Sequence, residues 1–268
     1  MGRRKKKVAT FTNATMFALV MQDEKLCVEF VERALGRKIE NLRIANKIDV
    51  STEETIIAGL RSKSIRMDVR FTDEKEWYCI EMQVDTEEDL AKRSCYYHSV
   101  MAVKDMKPGD DYSKLKPSYV IFLCCFDPAG AGKARYEYEM YDKRNGLSLG
   151  EKRYTIYLNS KALEVPEELK GLFAYINDRK LTEGDSFLTA IDEIVTRYNE
   201  DGVGESIMNI EQHYSNKVKR AKAERDEEKA ARIEAEAAKA ALEKKIKESD
   251  AKLAEMVEAG EISDDTAR

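Results

Sequence analysis

The residues whose types and spacing suit chemistry lie in one stretch, residues 65–84. There Ile65, Met67, Val69 and Phe71 alternate with Arg66, Asp68 and Arg70. Further on, Tyr78, Ile80, Met82 and Val84 alternate with Trp77, Cys79, Glu81 and Gln83. A period of two sends successive side chains to opposite faces of a strand. A polar turn near Glu74 and Lys75 joins the two runs as an antiparallel hairpin. A symmetric register sets Phe71 opposite Tyr78 and Asp68 opposite Glu81. With the apolar sets together, Asp68, Glu81 and Gln83 converge on one exposed side. Carboxylates directly opposite each other repel. Two accounts remain open. A divalent cation compensates, since carboxylate oxygens are the ligands that Mg²⁺ prefers. Or both acids are ordinary solvated residues, neutralised by Arg66 and Arg70.

The elements that must position this hairpin follow from pattern. Residues 13–35 suggest one helix or two short ones, with Asp23 as an N-cap and Gly36 as the residue after the end. Glu29 and Glu32 lie there, as helix acids near a metal or as solvent-facing glutamates. Residues 39–50 read as a strand, and 51–64 as a loop or an edge strand. After the hairpin, Asp85 or Thr86 caps a helix that runs to about Met106. Arg93, Tyr96 and Tyr97 share one face of it. Tyr96 is expected in the core. Tyr97 and Arg93 are open between packing and substrate contact. Residues 117–127 are the most apolar run, the signature of a strand buried on both faces. Residues 136–141 and 153–158 form a further hairpin, turning at Asn145-Gly146. Helices follow at 166–176 and at 186–198. From Glu205 to about Ala259 there is neither Pro nor Gly, and one long helix is expected.

An Asp on one strand, Glu-x-Gln on the next and a helix with Arg and paired Tyr resemble the PD-(D/E)XK nuclease superfamily. The likeness is to its transposase-like branch, the recombination-promoting nuclease (Rpn) family. It is carried by Arg66-Met67-Asp68-Val69, Ile80-Glu81-Met82-Gln83, and Arg93 with Tyr96-Tyr97. The resemblance implies an α/β (α+β) restriction-endonuclease-like core, with a mixed central sheet flanked by helices. It implies a divalent-metal-dependent DNA endonuclease acting in recombination or transposition. Asp68, Glu81 and Gln83 are then catalytic. Asp68, Glu81 and the backbone carbonyl of Met82 hold Mg²⁺ or Mn²⁺. Arg66, Arg70, Arg93 and Tyr97 face the substrate. The superfamily's usual lysine is replaced here by Gln83, as in the Rpn branch, so the positive charge must come from elsewhere. Arg66, Arg70 and Arg93 are the candidates, with Lys63 behind them. Arg66 and Arg70 are the better placed, flanking Asp68 on its strand face.

Composition bounds the rest. The chain has 268 residues, a net charge of −5 and 36% charged residues. This overall charge does not advertise a nucleic-acid binder, although a local basic patch suffices for binding. Five cysteines and two histidines show no zinc spacing and no disulfide framework, and free thiols fit a cytoplasmic protein. No apolar run is long enough to span a membrane, and no signal peptide is visible. The expected division is a basic tail (1–12), a nuclease-like domain (13–204), a charged helix (205–259) and a disordered tail (260–268). The basic tail is either a solvated terminus or a phosphate contact. The helix carries a thin stripe of Ile233, Leu242, Ile246, Leu253 and Met256. It reads as a weak coiled coil for a homodimer, or as a single helix held by ion pairs. A second functional class stays open: an inactive nuclease fold working as a binding or scaffold module through this helix. A non-catalytic accessory protein of a phage or mobile element is a third.

Overall fold

The computed structural model describes residues 8–39, 43–44, 69–72, 75–86 and 89–259. Asp68, Arg66 and Lys63 lie outside the described residues. So do segment 51–64, most of the strand expected at 39–50, and the tails at 1–7 and 260–268. Two short helices come first, α1 (Ala14–Val20) and α2 (Glu24–Leu35). Asp23 caps α2, its carboxylate accepting from the Lys25 and Leu26 amides. Gly36 ends it at φ 68°, in the left-handed region that glycine enters without strain. The strands β1 (Arg43–Ile44), β2 (Val69–Thr72) and β3 (Trp77–Gln83) follow, then helix α3 (Leu90–Asp105). Next come β4 (Ser118–Cys124), β5 (Arg135–Tyr138), β6 (Arg153–Asn159), α4 (Glu167–Asp178), α5 (Ser186–Glu200) and α6 (Val203–Glu258).

These strands form a six-stranded sheet in the order β1-β2-β3-β4-β6-β5. The central three, β3, β4 and β6, run parallel, and β1, β2 and β5 join antiparallel. The apolar run of β4 sits between β3 and β6, buried on both faces as its sequence predicts. Phe71 pairs with Tyr78, the register that the symmetric hairpin requires. The expected hairpin of β5 and β6 is present too, turning through Gly146 at φ 66°.

Alternation divides the core into two layers. Tyr78, Ile80 and Met82 of β3, with Ile121, Leu123, Ile156 and Leu158, pack with residues of α1, α2, α4 and α5. On the other face Cys79, Val120, Phe122, Cys124 and Tyr157 pack under α3 through its Leu90, Tyr97 and Met101. One rung of rings crosses the first layer. Phe71, Tyr78, Tyr119 and Tyr154 are register partners on four successive strands, stacked at 5.6, 5.3 and 4.8 Å between centroids. Glu76 gathers the polar ends, accepting from the Tyr78 hydroxyl and from Arg37 at 2.5 Å each and from the Tyr119 hydroxyl at 3.3 Å.

Residues up to Ile210 form one compact unit, and those from Glu211 form a second. α6 begins in the first unit, with Val203 and Ile207 buried in its core. The expected helix through the Pro- and Gly-free segment is present over its length.

Helix α3 differs in detail from expectation. It begins at Leu90 under the cap of Asp89, whose carboxylate accepts from the Lys92 amide, rather than at Asp85 or Thr86. Its underside also carries a polar stripe that packing alone does not require. Ser94 and His98, one turn apart, meet Thr155 of β6, and His98 also meets Ser118 of β4. The contacts are Ser94 Oγ to Thr155 Oγ1 at 2.7 Å, His98 Nε2 to Thr155 Oγ1 at 3.2 Å, and His98 Nδ1 to Ser118 Oγ at 2.7 Å. Burial, reinforced by Arg153, pushes the His98 pKa down from 6.5 to about 4, so the ring is neutral when folded. Between those values the unfolded chain binds more protons than the folded one. Stability is therefore complete above about pH 6.5 and declines as the pH falls toward 4. The expected loss from this group is about 3 kcal/mol. Urea unfolding of wild type and His98→Asn at pH 7.5 and 4 measures it: the variant's stability should fall less over that interval.

Candidate active site

Glu81 and Gln83 stand on the same face of β3, near its carboxyl end. That end is where ligands gather in open α/β sheets. The expectation that this face is exposed is overturned. Glu81 is only 7% exposed and Gln83 5%, because α3 lies across them and β4 flanks them. A carboxylate in such a place needs a charged or hydrogen-bonding partner. α3 supplies one.

Arg93, in the first turn of α3, reaches down to β3. Its Nη2 donates to Glu81 Oε1 in a short ion pair, and its Nη1 donates to Gln83 Oε1 at 2.7 Å. Tyr97, one turn further on, donates to the same Glu81 oxygen at 3.3 Å and accepts from Arg93 Nη2 at 3.1 Å. The guanidinium carbon lies 5.5 Å from the Phe122 ring centroid and 5.8 Å from that of Tyr97, within cation–π range. The Gln83 amide is fixed at its other end, donating to the Asp85 carbonyl at 2.8 Å. A quarter of the Arg93 side chain faces solvent while Glu81 stays covered. The arrangement is a buried carboxylate closed over by a cation at the water boundary.

Sequence reasoning named all four of these residues, and the structure joins them. It placed Arg66 and Arg70 ahead of Arg93 as the source of positive charge. Among the described residues, Arg93 is the arginine with a defined bond to both Glu81 and Gln83. Arg70 pairs with Cys79, which puts it on the sheet face of Glu81, and it is half-buried. Of the two tyrosines, Tyr96 departs from expectation, and Tyr97, left open, is the one that faces the sheet. Tyr96, expected in the core, is 53% exposed, and Tyr97 is the buried one at 9%. Arg93 and Tyr97 at i and i+4 face the sheet, which turns position i+3 toward its margin.

The helix acids play structural parts. Glu29 pairs with Arg33 at 2.6 Å, and Arg33 also bridges to Asp185, the cap of α5, at 2.8 Å. Glu32 takes Lys38 at 2.7 Å and the Ile39 amide at 2.9 Å. Although partial burial opposes it, these bonds hold its pKa below the usual carboxylate range. The apolar side of α2 belongs to the core layer opposite α3. Cys124, register partner of Gln83, is an inert thiol in the layer beneath α3, burial pushing its pKa up to about 12. His98, which sequence reasoning considered only as a helper for zinc, anchors the helix that delivers Arg93. The four-residue spacing of Ser94 and His98 was the available signal.

Among the described residues, no three His, Cys, Asp or Glu side chains gather as a metal-binding group. The donors expected for a metal are still chemically apt where they are described. Glu81 offers a carboxylate. The Gln83 carbonyl turns toward β4, accepting from the Cys125 amide at 2.9 Å. Successive carbonyls along a strand alternate in direction, so that of Met82 turns toward β2. A carboxylate and a carbonyl are the hard oxygen donors that Mg²⁺ and Mn²⁺ take. Asp68 adjoins Val69, the register partner of Ile80, and itself lies outside the described residues.

A family model described as PD-(D/E)XK nuclease family transposase matches residues 14–236. No curated protein and no solved structure matches the chain with significance. The matched span holds every strand among the described residues, the Glu81, Gln83 and Arg93 cluster, and the first part of α6. The mixed sheet with flanking helices fits the α/β restriction-endonuclease-like fold. Nucleases of this kind generally use divalent metals, and the family implies DNA as substrate. In family and in fold, this chain belongs to the PD-(D/E)XK nuclease family transposases.

Proposed function

We propose that the chain is a divalent-metal-dependent DNA endonuclease acting in recombination or transposition. The observation that carries this reading is the Glu81, Gln83 and Arg93 cluster at the carboxyl end of β3. Phosphodiester hydrolysis needs an activated water, stabilisation of charge on the phosphoryl oxygens and help for the leaving group. A bound Mg²⁺ or Mn²⁺ supplies Lewis acidity and a water of lowered pKa. Asp68, Glu81 and the Met82 carbonyl would hold it. Gln83 has no charge to give, and in this reading its part is to position Arg93. The guanidinium then neutralises developing negative charge, the work done elsewhere in the superfamily by lysine at the position of Gln83. Tyr97 steadies Arg93, while Arg66 and Arg70 add positive potential for the phosphate backbone.

A second reading rests on α6. Its Leu242, Ile246 and Met256 are 60%, 51% and 41% exposed. A heptad frame through them and Leu253 leaves Lys239 and Ser249 on the same seam, which keeps the pairing weak. Within the helix, Arg232–Glu236, Lys239–Glu243 and Lys244–Glu248 are i,i+4 ion pairs. The positions flanking the seam carry Glu243 and Asp250 on one side and Lys245 and Lys252 on the other. In a parallel pair, Lys245 meets Asp250 of the second copy. An antiparallel pair sets like charges together. The proposal is a parallel homodimer through this segment, serving the endonuclease or, if the site is inactive, a scaffold.

Cleavage of supercoiled plasmid with Mg²⁺, Mn²⁺ or EDTA tests the first reading. Wild type should cut only with metal, and Asp68→Ala and Glu81→Ala should each lose about 100-fold or more. Arg93→Ala should lose about 100-fold, the usual effect of removing one preorganised charge stabiliser. A wild type as inactive as Glu81→Ala on double- and single-stranded DNA leaves the scaffold reading. Sedimentation equilibrium tests the pairing. Wild type should dimerise at tens of micromolar, and Leu242→Asp with Ile246→Asp should be monomeric. A wild type that stays monomeric removes the seam.

A further inference from the structure

The Glu81 carboxylate that a cation would claim is already engaged through one oxygen, and its other oxygen, Oε2, is buried. Oε1 accepts both from Arg93 and from Tyr97. A divalent ion and a guanidinium on one buried carboxylate repel each other, because low local dielectric magnifies the repulsion. The rest of the cluster is built to hold Arg93 rather than a metal. The Gln83 amide is pinned through Nε2 to the Asp85 carbonyl, which turns its oxygen to the guanidinium. A lysine in that position would point a second cation at Arg93. The glutamine therefore serves as the arginine's dock, with Glu81 as the other half of a two-point grip. The water boundary is close, since a quarter of the Arg93 side chain is exposed. The Phe122 and Tyr97 rings lie within cation–π range of the guanidinium as it stands on Glu81 and Gln83.

We infer that Arg93 is a latch on the site. Without metal, its guanidinium bridges Gln83 and Glu81 and neutralises the buried carboxylate. Cation binding at Glu81 requires that bridge to open, and the released guanidinium is then free for a substrate phosphate. Metal and arginine thus compete for one buried carboxylate, and the protein rests in a self-neutralised state until metal arrives. This rests on the nuclease reading, specifically on Glu81 as a metal ligand.

Isothermal titration of the full chain with Mn²⁺ tests it, with no substrate present. Glu81→Gln should abolish binding. Arg93→Gln should tighten it about tenfold or more, the effect of removing one charged hydrogen-bonding competitor. Arg93→Lys keeps the charge but not the two-point fork, and should also tighten binding. Tyr97→Phe keeps the ring and removes the second donor to the same oxygen, so it should shift affinity the same way in a protein with unchanged packing. An Arg93→Lys variant that binds Mn²⁺ no more tightly than wild type overturns the latch, since bulk charge would then account for the affinity. A Glu81→Gln variant that titrates like wild type overturns the metal reading itself. The two failures are distinct.

Discussion

A carboxylate buried near the end of β3 is tolerable only with a cation beside it, and a good part of the fold keeps that cation in place. Glu81 cannot retreat to water, because β4 flanks it and α3 covers it. Taking away one member of a buried ion pair typically costs 3–5 kcal/mol, more than most single contacts contribute. The position of α3 is therefore constrained electrostatically as well as by its apolar contacts. Asp89 fixes where the helix starts, Arg93 and Tyr97 reach the acid, and Ser94 and His98 tie the same underside to β4 and β6. Electrostatics and architecture meet in the first turns of one helix.

Much of this was legible in the sequence. The hairpin register followed from alternation and a short turn, so Phe71 opposite Tyr78 needed no tertiary knowledge. The apolar run of β4 announced a central strand, and the absence of Pro and Gly announced α6. The identity of Glu81, Gln83, Arg93 and Tyr97 as a group was also readable. What failed was the environment. A period-two pattern with charges on one face reads as half-exposed, and that inference holds only if nothing covers the polar face. Here a helix covers it and brings its own charge, so Glu81 and Gln83 are buried among apolar neighbours. The same blindness misplaced Tyr96 and left Tyr97 undecided. Both fall on the face of Arg93 by helical spacing, and only the direction of approach to the sheet decides which is inward. Arg93 ranked below Arg66 and Arg70 because proximity along a strand is visible in sequence, whereas reach from a helix ten residues later is not. His98 was missed because a neutral, buried imidazole leaves no charge pattern.

The row of rings from Phe71 through Tyr78 and Tyr119 to Tyr154 has a mechanical side. These residues are exact register partners, so sliding any one strand by a single residue would unstack a ring on each side and turn the wrong face inward. Glu81 is three residues beyond Tyr78 on the same strand, and its own partners across the sheet are Phe122 and then Tyr157. The ladder on one face thus acts as a gauge for the other. It sets how far along the sheet the acid projects, and hence whether a guanidinium arriving from above finds it. The meeting of Glu81 with Arg93 is thus indexed by aromatic stacking on the opposite side of the sheet.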